Sequence, residues 1–238
     1  VMTVWLGTSL GLMLSDRLSR SMQQIITQGL GLLTLLIGVQ MAATLMETQS
    51  GLVDGVIVGL FATVIGGLLG EWWRLEAKLE AIGDWLKRRL SGKGRFTEGF
   101  VAASLLFCIG PLAFIGSLEN GLTGDNTLLS IKAAMDGLAA IALTSSFGIG
   151  VGFSSLALLT YQGGLSLLAG VLSQALPNDP STSPPILLVT GVGGLIIMGL
   201  SFNLLEVTKI RIASFLPAIA LAPLLHLISV WGSGFISR

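Results

Sequence analysis

Long apolar runs separated by short loops restrict the fold of this chain more than any other feature. Hydrophobic residues make up 52% of the 238 residues and charged residues 11%, and the mean hydropathy is +0.85. A soluble domain of this length has no interior large enough to hide that much apolar surface, so lipid must be the main solvent. The composition therefore predicts an all-α polytopic bundle that forms one transmembrane domain over residues 1–238.

The hydropathy pattern predicts about eight membrane spans, since a helix needs about 20 residues to cross the hydrocarbon core. They cover residues 1–14, 28–45, 53–69, 96–118, 128–148, 151–175, 186–205 and 212–230. The first run is short for a span and lacks both the basic region and the cleavage site of a signal peptide. We therefore expect that the native start of the chain is missing from this sequence.

Basic residues follow the first, third and seventh spans and are nearly absent from the other loops. Eleven of the thirteen Lys and Arg residues lie there: Arg17, Arg20, seven within residues 74–95, Lys209 and Arg211. The positive-inside rule places these loops in the cytoplasm and both chain termini outside it. Because a missed or invented span would break the alternation, the charge pattern also favours an even number of spans.

Residues 71–95 are predicted to form a cytoplasmic amphipathic helix followed by a basic loop. The apolar residues of this helix recur at steps of three and four: Trp72, Leu75, Leu79, Ile82, Leu86 and Leu90. Its Lys87, Arg88 and Arg89 would lie among anionic headgroups, at about 1 kcal/mol each. The helix either anchors the fold or docks a partner.

Two weak internal similarities indicate a possible inverted repeat. Residues 6–14 resemble 163–172, and residues 37–42 resemble 198–203, which relates spans one and two to spans six and seven. An offset of five spans gives the copies opposite orientation, as in many secondary transporters. Chance similarity between apolar sequences is the alternative. The 32 glycines, several at helical spacing, favour close helix packing and make a homodimer possible.

The chemistry-bearing residues argue against an enzyme. Cys108 is the sole cysteine and His226 the sole histidine, so disulfide frameworks, zinc sites and a Ser-His-Asp triad lack their partners. The sequence contains no basic domain of the kind that would indicate nucleic-acid binding. We therefore predict no catalytic residues, no metal and no cofactor, and a chain whose partners are the lipid bilayer and an unknown small solute or ion.

Asp136 is the strongest candidate for a functional residue, because a carboxylate inside a span must be solvated, paired or protonated. The alternative is a local ion pair with Lys132, one helical turn earlier. If the protein is a transporter, we expect Asp136 to couple a proton or cation to solute movement. If the protein is a scaffold, we expect Asp136 to be paired and dry.

Other polar residues within the spans are candidates for a solute or ion pathway. They are Thr144, Ser145, Ser146, Gln162, Gln40 and Asn203. Gly110 and Pro111 interrupt the fourth span, and Gly148 and Gly150 lie between the fifth and sixth, so these four are candidates for breaks that expose backbone carbonyls. The hydroxyl residues before Gly148 are equally compatible with a tight turn between packed helices.

Three long segments carry a resemblance to a known family: residues 100–151 (FVAASLLFCIGPLAFIGSLENGLTGDN and onward), GLLGEWWRLEAKLEAIGDWLKRRL and VTKIRIASFLPAIALAPLL. In these the chain resembles the bacterial membrane family called domain of unknown function 554, the YqgA and YdfK group. The resemblance implies a multi-pass protein of the bacterial inner membrane, in a family often described as transporters without an agreed substrate. Ser214 and Glu206 depart from the residues expected there.

The sequence therefore favours a secondary transporter or permease for a small solute or ion, with a polar site near the middle of the bilayer. The site would be built from the fourth, fifth and sixth spans. The alternative is a non-transporting membrane scaffold or assembly factor, in which the amphipathic helix is the sensitive element.

Overall fold

The computed structural model describes residues 1–15, 18–50, 53–89, 94–109, 111–171 and 183–236, and these are almost entirely helical. The helices are α1 (Met2–Ser15), α2 (Arg20–Glu47), α3 (Gly55–Trp72), α4 (Leu75–Arg89), α5 (Phe96–Cys108), α6 (Pro111–Thr123), α7 (Thr127–Phe147), α8 (Gly150–Leu158), α9 (Gly164–Val171), α10 (Pro184–Leu204) and α11 (Leu216–Ile236). A π-helical turn, Leu159–Gly163, joins α8 to α9, and a 3₁₀ turn, Ile212–Phe215, precedes α11. Strands β1 (Gln49–Ser50) and β2 (Val53–Asp54) form a short antiparallel hairpin.

The prediction of an all-α polytopic bundle is confirmed. Among the described residues, six helical segments are long and apolar enough to cross a membrane, and the bent pair of α5 and α6 makes a seventh. The remaining predicted span corresponds to α1, whose 14 residues rise only about 21 Å. Residues 172–175 of the predicted sixth span lie outside the described residues.

The fourth predicted span is not one straight helix. The axes of α5 and α6 differ by 57°, and α6 begins at Pro111, which has no backbone N–H to continue the hydrogen bonding of α5. The predicted break at Pro111 is therefore present, whereas Gly110 lies outside the described residues.

Helix pairs approach closely where glycine removes a side chain. Helices α2 and α10 cross at Gly38 and Gly194, where a β-carbon on Gly194 would lie 2.7 Å from the carbonyl oxygen of Gly38. Helices α1 and α7 run parallel, and a β-carbon on Gly7 would lie 2.2 Å from the Gly137 carbonyl oxygen. These contacts bring backbones together and leave little room for side chains between the helices.

The basic loops gather at one end of the bundle, which we call the basic end. Arg95, before α5, pairs with Glu206, after α10, at 3.5 Å, and Arg211 pairs with Glu71 at the end of α3. The ion pairs therefore join the loops that follow the third and seventh predicted spans. The β1–β2 hairpin and the α6–α7 loop lie at the opposite end.

The predicted amphipathic helix is α4, although it begins later than expected. Glu71 and Trp72 belong to α3, and the chain turns at Trp73 and Arg74, whose φ is +53°, before α4 starts at Leu75. Leu86 packs against Phe96 and Phe100 of α5. Ile82 and Trp85 of α4 are exposed, and its last turn carries Lys87, Arg88 and Arg89.

Carboxylates of α3 and α4 hold the start of the α11 segment in place. Glu71 accepts hydrogen bonds from Arg211 and Ser214, and Glu76 accepts one from the backbone N–H of Ala213 at 2.6 Å. Burial raises the pKa of Glu76 above its ordinary value, against the smaller opposing effect of the Ala213 hydrogen bond. The carboxyl group is therefore better accommodated when it is protonated.

We expect Glu76→Gln to unfold at the same or a higher temperature than wild type at pH 7. The raised pKa means that this carboxyl stabilises the fold most below pH 4.5 and that the contribution is lost as pH rises through the folded-state pKa. Glutamine keeps an oxygen for Ala213 and carries no charge. Thermal melts at pH 7 and pH 4 test this, since any advantage of the variant should disappear at pH 4. Glu76→Ala, which removes the acceptor, should lose about 1–2 kcal/mol at both pH values.

Candidate functional site

A polar cavity of about 640 Å³ lies at the basic end, and we call it the polar vestibule. It is formed by the last residues of α1, α7 and α10 and the first residues of α2, α5 and α8. Its lining residues are Ser15, Arg20, Gln23, Gln24, Thr27, Gln28, Gly94, Arg95, Ser145, Ser146, Phe147, Gly148, Leu204 and Glu206. The cavity is large enough for a small solute.

The first turns of α2 supply much of this polar wall. Ser19 caps the helix by accepting a hydrogen bond from the Met22 N–H at 3.3 Å, so α2 begins eight residues before the predicted span. Gln23 and Gln24 therefore lie on a helix and not in a loop, and the sequence reasoning missed them because they precede the apolar run. Gln28, the first residue of the predicted span, also lines the cavity and was not named as a candidate. A Ser19 cap followed by good helix formers is the signal that could have revealed them.

Ser145 and Ser146, two predicted pathway residues, line the polar vestibule. The Ser146 hydroxyl donates to the carbonyl of Gln23 at 2.9 Å and so links the end of α7 to α2. The Ser145 hydroxyl donates to the Ala142 carbonyl of its own helix at 2.7 Å. Gly148 follows with φ +81° and ends α7, its N–H donating to the Thr144 carbonyl.

The α7–α8 junction is thus a tight turn and not an unwound segment. Gly148 supplies the left-handed conformation that ends α7. Gly150 begins α8 and lets it contact α5, since a β-carbon there would lie 2.1 Å from the Phe96 carbonyl oxygen. The packed turn is therefore present, and because Ser145 and Ser146 before it also line the polar vestibule, the turn does not exclude the pathway alternative.

An arginine and a glutamate close one side of the vestibule. Arg95 donates to Glu98 at 2.7 Å, pairs with Glu206 at 3.5 Å and lies over the ring of Phe147 at 4.7 Å. Glu206 has φ +58°, which is uncommon for a residue with a side chain. These contacts fix the loop after α10 beside the vestibule.

Asn203 holds that loop and does not line the vestibule. Its side-chain amide donates to the Ile210 carbonyl at 2.8 Å and accepts from the Ile210 N–H at 2.7 Å. Gln40, another predicted pathway residue, lies away from Asn203: Gly31 of α2 packs beside Leu204 and Leu205, and Gln40 lies nine residues, or about 14 Å, further along α2. The side chain of Gln40 is exposed on the surface of the bundle.

Lys132 and Asp136 form an ion pair inside α7, which we call the buried pair. Their residues are 6% and 8% exposed, and the Lys132 Nζ donates to the Asp136 Oδ2. Asp136 lies nine residues into a 21-residue helix, or about 14 Å along it, which is near mid-span. The local pair is therefore formed, as the scaffold alternative expects of Asp136.

The helix break at the end of α5 lies near the buried pair, and the π-helical turn lies near that break. The Cys108 thiol at the end of α5 interacts electrostatically with both charges, and Tyr161 of the π-helical turn interacts with Cys108. Tyr161 and Ile109 line a void of about 10 Å³, close to the smallest that holds one water molecule. The fourth predicted span thus lies close to the fifth at the buried pair, and close to the sixth at Cys108 and Ile109.

Several buried polar atoms near these elements have no hydrogen-bond partner among the described residues. They are Gln162 Nε2, Ser104 Oγ and Thr3 Oγ1. Thr144, a predicted pathway residue, is fully buried and donates to Thr8 of α1 at 3.4 Å. Hydroxyl groups on the α1–α7 interface therefore lie between the polar vestibule and the buried pair.

A polar cluster at the opposite end was not predicted. Ser50 of β1 is fully buried and lies 2.7 Å from Nδ1 of His226, and it also bonds Ser229 of α11. This ties the β1–β2 hairpin to the last helix. Residues 176 positions apart in sequence carry no local signal of such a contact.

Comparison with known proteins gives a family without an established function. The family described as "Protein of unknown function (DUF554)" matches residues 1–227. The "Uncharacterized membrane protein YdfK" of Bacillus subtilis (strain 168) is 31% identical over 217 residues, which cover 91% of this chain and 89% of that protein. The "Uncharacterized protein YqgA" of Escherichia coli (strain K12) is 28% identical over 240 residues, 98% of this chain and 95% of that protein.

No solved structure matches the chain significantly. The family match extends over nearly the whole chain, and the first relative exceeds 30% identity over most of both sequences. The resemblance noted in the sequence is therefore confirmed. This membrane protein belongs to the DUF554 family of proteins of unknown function.

Proposed function

We propose that the protein is a secondary transporter or permease for a small solute or ion, located in the bacterial inner membrane with both termini outside the cytoplasm. The observation that carries the proposal is the polar vestibule, which enters the bundle from the basic end and stops below the buried pair. With the basic end in the cytoplasm, the structure corresponds to a state open on that side.

The route from the vestibule towards the buried pair is closed by packing that a helix movement can open. The α1–α7 interface joins Thr8 to Thr144 and brings Gly7 and Gly11 against α7 backbone. Helix α1 is short and exposes most of its large side chains, so the face that packs on α7 makes most of the contacts that hold it in the bundle. Displacement of α1 would expose the hydroxyl groups that separate the two sites.

The pattern of helix contacts supports an inverted repeat. The sequence similarity relates α1 to the α8–α9 segment and α2 to α10. We extend this relation to α3 with α11 and to the α5–α6 segment with α7. Under that relation the α1–α7 pair corresponds to the pair of α8 with α5, and both pairs are closely packed and parallel. In the α2–α10 pair and in the α3–α11 pair, the two helices exchange places under the same relation, so each pair is related to itself. A two-fold axis in the membrane plane would produce these contacts.

Cysteine accessibility tests the proposed vestibule, because Cys108 is the one cysteine of the chain. In a Cys108→Ser background, we expect Ser146→Cys to react with a membrane-impermeant maleimide in inside-out vesicles and not in right-side-out vesicles. Leu138→Cys, on the exposed face of the same helix, should react in neither, because maleimide reaction needs a hydrated thiolate.

Two results would count against the proposal. Reaction of Ser146→Cys from neither side would mean that the vestibule is dry, and reaction from the outside alone would reverse the orientation. A transported solute should in addition slow the labelling of Ser146→Cys by occupying the vestibule.

A scaffold or assembly role is the second candidate, and two observations favour it. Asp136 is paired, and the aromatic residues around α4 are exposed: Trp72 at 79% and Trp85 at 53%. A scaffold predicts that substitution of these tryptophans disrupts function while a neutral replacement of the buried pair does not. A transporter predicts the reverse result.

A further inference from the structure

We propose that the transported species is a small anion that binds Lys132 in place of Asp136 while Asp136 carries a proton. This inference rests on the proposed transport function and names its substrate class. The observation behind it is that a buried ion pair lies at the middle of the bundle near the Cys108 thiol, and that α5 and the π-helical turn, which meet at Cys108, hold buried donor groups without partners among the described residues.

Burial of the Lys132–Asp136 pair costs free energy, which a functional role would explain. Lys132 and Asp136 are the charged residues that the structure buries within the described ranges. Replacement of a buried ion pair by apolar residues is often neutral or stabilising, so packing alone does not account for it. Ionisable residues inside a membrane bundle mark substrate and proton pathways.

The pair is not saturated with hydrogen bonds. An ammonium group has three donors, and Lys132 makes one hydrogen bond, to Asp136 Oδ2, to the part of the chain that the structure describes. Asp136 Oδ1 accepts none from those residues. A carboxylate or another oxyanion can therefore replace Asp136 on Lys132 without loss of a second bond.

Uncharged hydrogen-bond donors without partners lie in α5 and in the π-helical turn, the two elements that meet at Cys108, and donors of this kind favour an anion. Gln162 Nε2 can only donate, and it is buried without a partner in the π-helical turn next to Tyr161. Ser104 is 4% exposed, lies one helical turn before Cys108, and its hydroxyl also has no partner among the described residues. Burying unpartnered donors is costly, and a bound anion would satisfy them.

The polar vestibule favours the same class of solute. Its charged side chains among the described residues are Arg20, Arg95 and Glu206, so two positive charges oppose one negative charge. Arg95 forms ion pairs with both Glu98 and Glu206, whereas Arg20 is exposed and makes no ion pair with the described residues. A net positive cavity raises the local concentration of anions.

Charge neutrality fixes the order of events at the buried pair. A proton from solution bonds to the Asp136 carboxylate, the ion pair breaks, and the Lys132 ammonium pairs with the incoming anion, so the site remains neutral overall. Release of the anion and the proton on the other side restores the pair. Among the described side chains, the charged or titratable groups that interact with Asp136 are Lys132 of its own helix and the Cys108 thiol of α5.

Proteoliposomes containing the full chain and an internal pH dye test this. The probes are nitrate, chloride and lactate as monovalent anions, with glycerol as an uncharged solute and choline as a cation. We expect uptake of at least one of the anions, with acidification of the vesicle interior. Lys132→Gln should reduce uptake at least about thirtyfold, the factor expected for loss of one member of a buried charge pair.

Asp136→Asn separates the movement of the proton from the movement of the anion. It should abolish the acidification and make any remaining anion uptake depend on the membrane potential. The double variant Lys132→Gln with Asp136→Asn keeps the size of both side chains and leaves no unpaired charge, so its loss of uptake would not reflect misfolding. Lys209→Gln, at an exposed position of the basic end, is the matched control and should behave as wild type.

The other outcomes are distinct. Uptake of glycerol or choline without any anion would overturn the anion assignment and leave the transport function in place. Anion uptake that is unchanged in Lys132→Gln would overturn the role of the buried pair. If none of the probes enters with the wild-type protein, both this inference and the proposed transport function are contradicted.

Discussion

Replacing Lys132 with methionine should lower the free energy of unfolding by about 3–5 kcal/mol, because it leaves Asp136 as an uncompensated charge in the middle of the bundle. Asp136→Leu should lower the free energy of unfolding by a similar amount, because it leaves the buried Lys132 ammonium without a partner. Reversible unfolding in mixed detergent, monitored by circular dichroism, measures both. Protonation of Asp136 at low pH would reduce the cost of the lysine replacement and leave the cost of Asp136→Leu unchanged, so the two variants should differ most at low pH.

The double variant Lys132→Met with Asp136→Leu should recover to within about 1 kcal/mol of wild type, because it removes both charges and keeps most of the volume. Lys209→Met, at an exposed lysine, should change stability by less than about 0.5 kcal/mol. If Lys132→Met were as stable as Lys209→Met, the lysine would have to be hydrated and the buried pair would not exist as described. A stable double variant that is inactive would separate the functional role of the pair from its structural role.

The buried pair was predictable because its two members lie four residues apart on one helix. The spacing from Lys132 to Asp136 is local, so the sequence alone suggested an ion pair as one alternative. The choice between a paired and a hydrated carboxylate depended on the packing of α1 and α5 against α7. That packing is a long-range property, and no pattern within residues 127–147 reports it.

The arrangement of spans was also largely readable from the sequence. Apolar runs and the alternation of basic residues gave the helices, and the ion pairs from Arg95 to Glu206 and from Arg211 to Glu71 join loops that were predicted to share a side. The limits of the helices were less accurate. Hydropathy detects the apolar part of α2 and not its polar first turns, so the wall of the polar vestibule was missed.

Contacts between distant segments explain the remaining errors. Asn203 and Gln40 were both candidates for the pathway, and in the structure Asn203 bonds the Ile210 backbone while Gln40 is exposed. Polar side chains near helix ends form hydrogen bonds with loop backbone as readily as with ligands. Ser50 and His226 meet only because the β1–β2 hairpin folds onto α11.

Gly150→Ala should lower the stability of the bundle by about 3 kcal/mol, near the upper end of the usual cost of overpacking. A β-carbon at this position would lie 2.1 Å from the Phe96 carbonyl oxygen and 2.8 Å from its carbon, so the clash is with backbone and no rotamer change relieves it. Helices α5 and α8 would have to separate, which would also disturb Arg95 and Phe147 at the wall of the polar vestibule.

Gly164→Ala is the matched control for this prediction, because it lies in the same membrane segment and a β-carbon there meets nothing within 4 Å. It should leave the melting temperature unchanged or raise it slightly, since alanine favours the helix more than glycine does. Thermal melts of the two purified variants in one detergent give the comparison. Equal melting temperatures would mean that α5 and α8 are not in backbone contact. A loss confined to Gly150→Ala, together with faster maleimide labelling of Ser146→Cys in that variant, would show that the α5–α8 contact also restricts access to the vestibule.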